Sequence, residues 1–508
     1  MRTSIRIILF VATLLDTLSL QGQEMKKLTF SIDEVVSIAR SNANQAVLAK
    51  HSLESEQSGF SSFLASRKWQ LDLTLNPSYR MMAVSLEDYS LSGFAQNNAL
   101  AAGASLDFSK LVQGSGGYLY ASSSFGWDEF FSDARDSYIQ QYGAPRLFNI
   151  TPLRVGYRQE LLGYNGPSWE KRIRETQAEN ARKDYVSELA AISETAAGYF
   201  FSYATCKAMY DMYKVNAESA DSLYRIGVKK YELTSIRKDE LLSLQLQLMN
   251  SQNDVRASFN SMEKARRSLL SYLEMGYEDV TVDVVLPEDP EHLILIDSQE
   301  AIDIARTYNP EFGKVQEASL KAEQELDKAK REKGVRVDLD LSAGIQQYGY
   351  RAGPVGLTSQ PHSIANVTLA FPLVDHGMRR DNYNAARSKV EYYDVQRLEI
   401  ERTVTEAIVN TINELQIQQE MLADTRKAME LADESFAQNQ YNYAHGLSDI
   451  NTFTLSQNRK DSAHINYINS LSSFWLAYYR LCAITLYDFY NMKPLDYSAM
   501  SSQEPSVF

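Results

Sequence analysis

Only two cysteines, Cys206 and Cys482, occur in 508 residues. A disulfide framework and a cysteine-built metal cluster are thereby excluded, and both residues fall in long helical patterns, where a small core side chain is expected. Long apolar runs are equally scarce. Beyond the first residues no stretch approaches the roughly 18 consecutive apolar residues of a membrane-spanning helix, and the hydrophobic share, 44%, is ordinary for a soluble chain. Membrane residence would therefore require a closed barrel of strands. Catalytic signatures are missing too: there is no HExxH pair, no CxxC, no phosphate-cradling glycine loop and no serine-nucleophile elbow. The six histidines, His51, His292, His362, His376, His445 and His464, are scattered. No enzyme, cofactor or metal centre is expected, and only His376 and His445 sit at junctions where protonation would matter.

What is present begins with Met1 to Gln23. Arg2 and Arg6 precede an apolar stretch from Ile7 to Leu15 and then Leu20-Gln21-Gly22, which reads as a secretory signal over residues 1–22. No cysteine lies near the cleavage point, so a lipid anchor is not expected and any membrane attachment must come from the fold. The formal charge of -14 becomes -15 once Arg2, Arg6 and Asp16 leave with the signal. Nucleic acid and anionic membrane surfaces are poor partners for it.

No low-complexity linker divides the chain; a repeat does. At an offset of 266, Asp33 to Arg40 aligns with Gln299 to Arg306, and the match runs without a gap to Leu71-Asp72-Leu73 over Val337-Asp338-Leu339. At an offset of 212, Gln159 to Leu162 lies over Phe371 to Val374, Glu194 over Glu406, Ala220-Asp221 over Ala432-Asp433 and Tyr231 over Tyr443. The first copy thus carries 54 extra residues between about Asn76 and Val155. The organisation is a signal at 1–22, a first repeat at 23–286, a linker at 287–297, a second repeat at 298–493 and a tail at 494–508.

Proline is absent from Ser168 to Leu286 and from Leu373 to Lys493, and few glycines interrupt these runs. Proline breaks helices, so both runs read as long helices. Leu241, Leu244 and Leu248 recur at helical spacing, as do Leu471, Trp475, Tyr478 and Cys482. A helix from about Lys171 to Tyr231 would be roughly 90 Å long, too long to curl into a globule. The segments before the runs alternate with period two: Leu71, Leu73 and Leu75; Leu153, Val155 and Tyr157; Val337, Leu339 and Leu341; Val367, Leu369 and Phe371. Period two means strand. An apolar face opposite a polar one fits lipid outside and water inside a barrel, and equally one side of a soluble sandwich. From Leu71 to Glu160, 14 of 90 residues are aromatic, a share that suits the girdles of a barrel.

The order helix, strands, long helix, repeated once, resembles the TolC family of outer-membrane export proteins. The residues that carry the resemblance are the opening helices Ser31 to Arg40 and Ser298 to Pro310, the junction Phe371-Pro372-Leu373-Val374-Asp375-His376-Gly377, and Tyr443-Ala444-His445-Gly446-Leu447. The resemblance implies a mainly α fold with a transmembrane β-barrel: two tandem helix-strands-helix repeats, trimerising into one α/β barrel duct. It also implies a periplasmic adaptor and an inner-membrane pump as partners, and a location in the outer membrane extending into the periplasm. The 54 extra residues read as a further strand pair, with Leu106 and Phe108 alternating with polar neighbours before a turn at Gln113 to Gly117 and a run from Tyr118 to Phe125. Loops are expected at Leu86 to Leu100, Asp128 to Arg146 and Tyr348 to His362. A trimer would then have eighteen strands, or twelve with the added hairpin packed inside or outside the barrel.

In the family the tips of the helical hairpins close the periplasmic entrance, through contacts between an acid in the first copy and a tyrosine and an arginine in the second. Counted from the family's glycine, which is Gly446 here and Thr234 in the first copy, the acid is Glu240 and the tyrosine is Tyr443. Ser448 stands at the arginine position, so Arg237 or Lys238 is the candidate cation. Thr452 stands at the position of the family's acidic ring, leaving Asp239, Glu240 and Asp449 as candidates for a cation-attracting ring. Adaptor docking is expected at the same tips, at Tyr231, Thr234, Gly446 and Leu447. The duct would serve efflux or type I secretion. The competing functions are a soluble periplasmic coiled-coil adaptor without a channel and an autonomous porin, for which the long helices are superfluous.

Overall fold

The computed structural model describes residues 26–80, 84–85, 95–96, 98–131, 135, 139, 143–233, 236–276, 280–288, 295–350, 357–371, 373–445 and 447–495. The signal and nearly all of the expected tail lie outside them. Within them the elements run β1 (Lys26–Phe30), α1 (Ile32–Asn42), α2 (Asn44–Ser66), β2 (Gln70–Arg80), β3 (Asn98–Val112), β4 (Gly117–Phe131), β5 (Arg146–Glu160), α3 (Gly166–Glu232), α4 (Lys238–Tyr272), β6 (Val280–Val284), α5 (Ser298–Tyr308), α6 (Pro310–Glu332), β7 (Arg336–Gly349), β8 (Leu357–Ala370), α7 (Met378–Ala444) and α8 (Ile450–Thr485).

The element starts keep both sequence offsets. Ile32 and Ser298, Asn44 and Pro310, and Gln70 and Arg336 are each 266 apart, while Gly166 and Met378, and Lys238 and Ile450, are each 212 apart. The caps explain why helices begin at these points. Ser31 accepts from the Glu34 amide at 3.3 Å while Glu34 accepts from the Ser31 amide at 2.9 Å, a capping box that satisfies two orphan donors. Asp297 caps α5 in the second copy by accepting from the Glu300 amide. The expected opening helices are α1 and α5; each ends at a non-helical residue, Ala43 and Asn309, and a second helix, α2 or α6, follows directly. For Asn309, the following Pro310 supplies the reason, since it disfavours helical backbone before it.

The described chain divides into two compact units. One comprises residues 183–309 and 402–495 with the N-terminal part up to Ser52. Its core is aliphatic and aromatic: Leu189, Ile192, Phe200 and Phe201 of α3, Leu269 and Leu270 of α4, Ile408, Ile412 and Leu415 of α7, and Leu471, Phe474 and Leu481 of α8 are all buried. Val35 and Ala39 of α1 and Ala301 and Ala305 of α5 complete it. Burying one Leu or Phe contributes about 1.5–3 kcal/mol. Cys482 is buried here, as expected of a small core residue, and Cys206 is half-buried. Burial pushes the Cys482 thiol up to about 12. Charged pairs bound the core: Arg480 on α8 reaches Glu194 on α3 at 3.1 Å and Glu414 on α7 at 3.3 Å. A parallel strand pair, β1 with β6, is not legible in the sequence; Tyr203 holds it by donating to the Val282 carbonyl at 2.6 Å.

The other unit comprises residues 53–182 and 310–401. It holds one six-stranded sheet in the order β8-β7-β5-β4-β3-β2, antiparallel throughout. The added strand pair, β3 and β4, is part of this sheet and separates β2 from β5. The strands outrun the expected loops: pairing continues to Asn98↔Phe131, Glu129↔Arg146 and Leu357↔Gly349. Residues 86–94, 97, 132–134, 136–138, 140–142 and 351–356 lie outside the described residues. The ladders extend past the apolar alternation because backbone bonds, not side-chain hydrophobicity, carry a strand through Ala101-Ala102-Gly103 and Gly126. Beside the sheet, Trp169 on α3 donates to Asp327 on α6 at 3.0 Å, and Lys389 on α7 pairs with Glu325 on α6 at 2.8 Å.

Candidate functional site

The sheet has two chemically distinct faces, because successive side chains alternate. On one face Leu71 sits opposite Phe108, Leu73 opposite Leu106, Val337 opposite Leu369 and Leu339 opposite Val367. Phe125, Val155, Leu153 and Ile345 continue it. Most of these side chains are exposed, with Val337 and Leu339 half-buried; Leu71, Leu73 and Leu75 keep 62%, 67% and 65% of their surface. Monomeric soluble proteins rarely leave a contiguous apolar face open.

The opposite face carries Asp72, Thr74, Asp107, Ser122, Arg154, Arg158, Asp338 and Asp340. Asp72 stands directly across from Asp107, an arrangement that costs stability unless water screens it. Near the end of β5 that leads into α3 a cluster forms that sequence reasoning missed. Arg158 pairs with Asp340 at 2.9 Å, and Tyr120 donates to the same carboxylate at 3.0 Å. Gly156 makes this reach possible, because a Cβ there would collide with the Tyr120 ring. Arg154 donates to Ser342 at 3.0 Å. Charged residues at alternating positions, Arg154 and Arg158 against Asp338 and Asp340, are the available signal, and the apolar residues between them outweigh it in a reading by periodicity. The junctions to the long helices are capped: Asn165 accepts from Ser168 at the start of α3, and Asp375 accepts from the amides of Gly377 and Arg379 at the start of α7. Gly377, at φ +90°, takes a backbone that a side chain would strain, and His376 beside it is at φ +51°.

The second region is the pair of hairpin tips. Between α3 and α4, Arg237 precedes the first helical residue and pairs with Asp239 at 2.8 Å and Glu240 at 3.5 Å. Three of the expected gate residues are thus together. Close helix approach is required nearby: a Cβ on Gly227 would lie 2.5 Å from Leu244. Between α7 and α8, Asp449 caps α8 by accepting from the Thr452 amide at 2.8 Å, which holds its carboxyl below the usual range. Tyr443 packs on Phe453, ring centres 5.2 Å apart, and burial raises its hydroxyl above the ordinary value. Phe453, a partner the sequence does not single out, also meets Phe436. The His445 and Tyr441 rings are tilted by 33° with centres 4.0 Å apart. Ser448 donates to the Asp449 carbonyl and Lys238 opens α4. Leu233 and Leu447 at the two tips keep 74% and 73% of their surface, and Tyr231 is also exposed. Thr234 and Gly446 lie outside the described residues.

Beyond the tips, α4 and α8 are joined by Gln247 donating to Thr454, and leave a groove of about 860 Å³ floored by α3. It is polar: Asn216 donates to Asp461 at 2.5 Å and accepts from Gln457. Burial raises the Asp461 carboxyl. Among the described residues no cluster of His, Cys, Asp and Glu is placed to hold a metal, and no helix is long and apolar enough to cross a membrane.

Residues 301–485 match the model of a family described as outer membrane efflux protein. No curated protein matches the chain. Among solved structures, the fold is similar to the CmeC outer membrane channel of Campylobacter jejuni, with 13% identity, a TM-score of 0.62, and 92% of this chain and 88% of that one covered. It is similar to the outer membrane protein VceC of Vibrio cholerae, with 12% identity, a TM-score of 0.60, and coverage of 89% and 95%. The open state of the MtrE outer membrane channel of Neisseria gonorrhoeae gives 12% identity, a TM-score of 0.58, and coverage of 89% and 88%. The second copy thus carries the efflux-protein signature, and nine-tenths of the chain has the fold of TolC-like channels.

Proposed function

We propose that the protein is the outer-membrane channel of a tripartite efflux or type I secretion system, a passive duct that conducts solutes or proteins from the periplasm to the exterior. The observation that carries this reading is the two-faced sheet, apolar on one side and charged on the other, with β2 and β8 at its edges. Hydrocarbon tolerates no open sheet edge. Six strands cannot close a barrel alone while keeping room for the charged face, since even eight leave an interior only wide enough for side chains. More than one copy must therefore share the barrel, and the resemblance to the TolC family implies three. Strand direction supports the closure. With an even number of antiparallel strands per copy, β8 of one copy meets β2 of the next antiparallel. The apolar alternation of Val367 and Leu369 on β8 is then continued by Leu71, Leu73 and Leu75 on β2, so both edges present the same side to lipid.

The entrance reading rests on the tips. Asp239, Glu240 and Asp449 stand in three copies around the axis and attract cations, and Arg237 takes the part of the cation absent at Ser448, already paired with Glu240. Tyr443 supplies the second-copy partner, and the adaptor docks at Tyr231, Thr234, Gly446 and Leu447, where exposed leucines offer apolar anchors. The test is direct. The protein is recovered in outer-membrane fractions as a trimer, and Glu240→Ala with Tyr443→Phe raises its single-channel conductance in planar bilayers. Recovery in the soluble periplasm sinks the channel reading, and unchanged conductance sinks the gate assignment alone.

A further inference from the structure

We infer that the added hairpin is part of the barrel wall, so that each copy contributes six strands and the trimer closes as an eighteen-stranded barrel. The inference rests on the channel reading above and adds to it the width of the passage. Barrel diameter grows roughly linearly with strand number. For strands about 4.8 Å apart and tilted about 40°, eighteen give roughly 36 Å between opposing backbones, against roughly 24 Å for twelve.

Three observations place the hairpin in the wall. The first is its ladders. β3 is paired with β2 without a break from Gln70↔Ser109 to Arg80↔Ala99, and β4 is paired with β5 from Tyr118↔Arg158 to Glu129↔Arg146 with one bulge. Peeling the hairpin away would strip two ladders at once and leave β2 and β5 to find each other, exposing backbone donors to hydrocarbon during the exchange.

The second is the continuity of the faces. Leu106, Phe108 and Phe125 extend the apolar face, while Ser105, Asp107 and Ser122 extend the polar one, in step with Leu73 and Thr74 on β2 and with Val155 and Arg154 on β5. A hairpin packed inside the barrel would drive Leu106 and Phe108 into the aqueous lumen. One packed outside would bring Asp107 into lipid.

The third is how the hairpin is held at its base. Its turn docks on the junction between β5 and α3: Ser115 and Tyr157 hydroxyls are 2.7 Å apart, and Gln159 donates to the Ser115 carbonyl at 3.3 Å. Gly116, at φ +71°, lies so close to Asn165 that a Cβ would fall 2.6 Å from its Oδ1. On the other side Trp69, just ahead of β2, stacks on Phe108 with ring centres 4.5 Å apart and planes within 7°, and Lys110 covers the same indole. The hairpin is thus fitted to both strands that flank it.

The experiment is electron microscopy of the full-length trimer purified from outer membranes, with two cysteine pairs tested beforehand in whole cells. In a background lacking Cys206 and Cys482, Thr74→Cys with Ser105→Cys, and Ala121→Cys with Val155→Cys, both form disulfides within one chain, because each pair faces across a ladder. The barrel then shows eighteen strands and a backbone diameter about 1.5 times that of a twelve-stranded one, in proportion to strand number. A trimer with twelve strands and a hairpin off the wall overturns the inference and leaves the channel standing, as does a trimer in which the Ala121 and Val155 pair fails to bridge. The absence of any membrane trimer overturns both.

Discussion

The two units bury their apolar residues in opposite senses. In the helical unit Phe200, Leu269, Leu471 and Phe474 have no exposed surface, whereas in the sheet unit Leu71, Leu73 and Leu75 show about two-thirds of theirs. The same residue types therefore answer to two solvents. The helices exclude water by packing on one another, and the sheet turns its apolar side to whatever lies beyond it. Hydrophobic patterning thus reports which face is dry without saying what dries it.

The largest loss is expected in the helical core. Phe474→Ala leaves a cavity in the helical core and costs about 3–5 kcal/mol, read as a lowered urea midpoint of the purified protein. Leu73→Lys puts a charge on the apolar face and costs about 2–4 kcal/mol at mid-bilayer depth, read as loss of folded trimer from the outer membrane. Thr74→Lys, one residue away on the other face, changes trimer yield by a surface-like amount, within about 0.5 kcal/mol. Equal losses at the two positions would show that the faces do not differ in solvent. The smallest effect is at Asp461. Burial raises its carboxyl in the folded state, so the native protein binds the proton more readily than the unfolded chain. Stability from this group is greatest at low pH and is lost as pH rises through the raised value, above about 4, where unfolded aspartate titrates. Lys460 and His464 on its own helix and Asn216 on α3 face the same carboxyl and temper the loss. Asp461→Asn therefore melts at a higher temperature than wild type at pH 7, and the gap closes as the pH is taken toward 4.

Most of the architecture is legible in the sequence because duplication is a property of spacing. Offsets of 266 and 212 survive as the distances between element starts, and the proline-free runs are helices of 67 residues followed by helices of 35 and 36. The hairpin is legible from Leu106, Phe108 and the glycine turn, but its place in the sheet is not, because strand order depends on which backbone edge meets which. Strand ends are lost where Ala, Ser and Gly erase the alternation. The cluster of Arg158, Asp340 and Tyr120 joins three strands, and pairings of that range leave no local trace. At the tips, Arg237, Asp239 and Glu240 are found together because they are neighbours in sequence. Phe453 does not stand out because an aromatic on a helix reads first as core.

The parallel pairing of β1 with β6 has a consequence for the order of assembly. Lys26 is matched to Val280, so the first strand of the described chain waits for a partner 254 residues further on. A chain that crosses a membrane from its N-terminus delivers β1 long before β6, and closing so long a loop is slow as well as entropically costly. The strand delivered first can pair only after α3, α4 and the first copy's sheet strands have been delivered. Its docking certifies that the whole first copy has arrived, through α3, α4 and every strand of its share of the sheet, before the N-terminal end is fastened down.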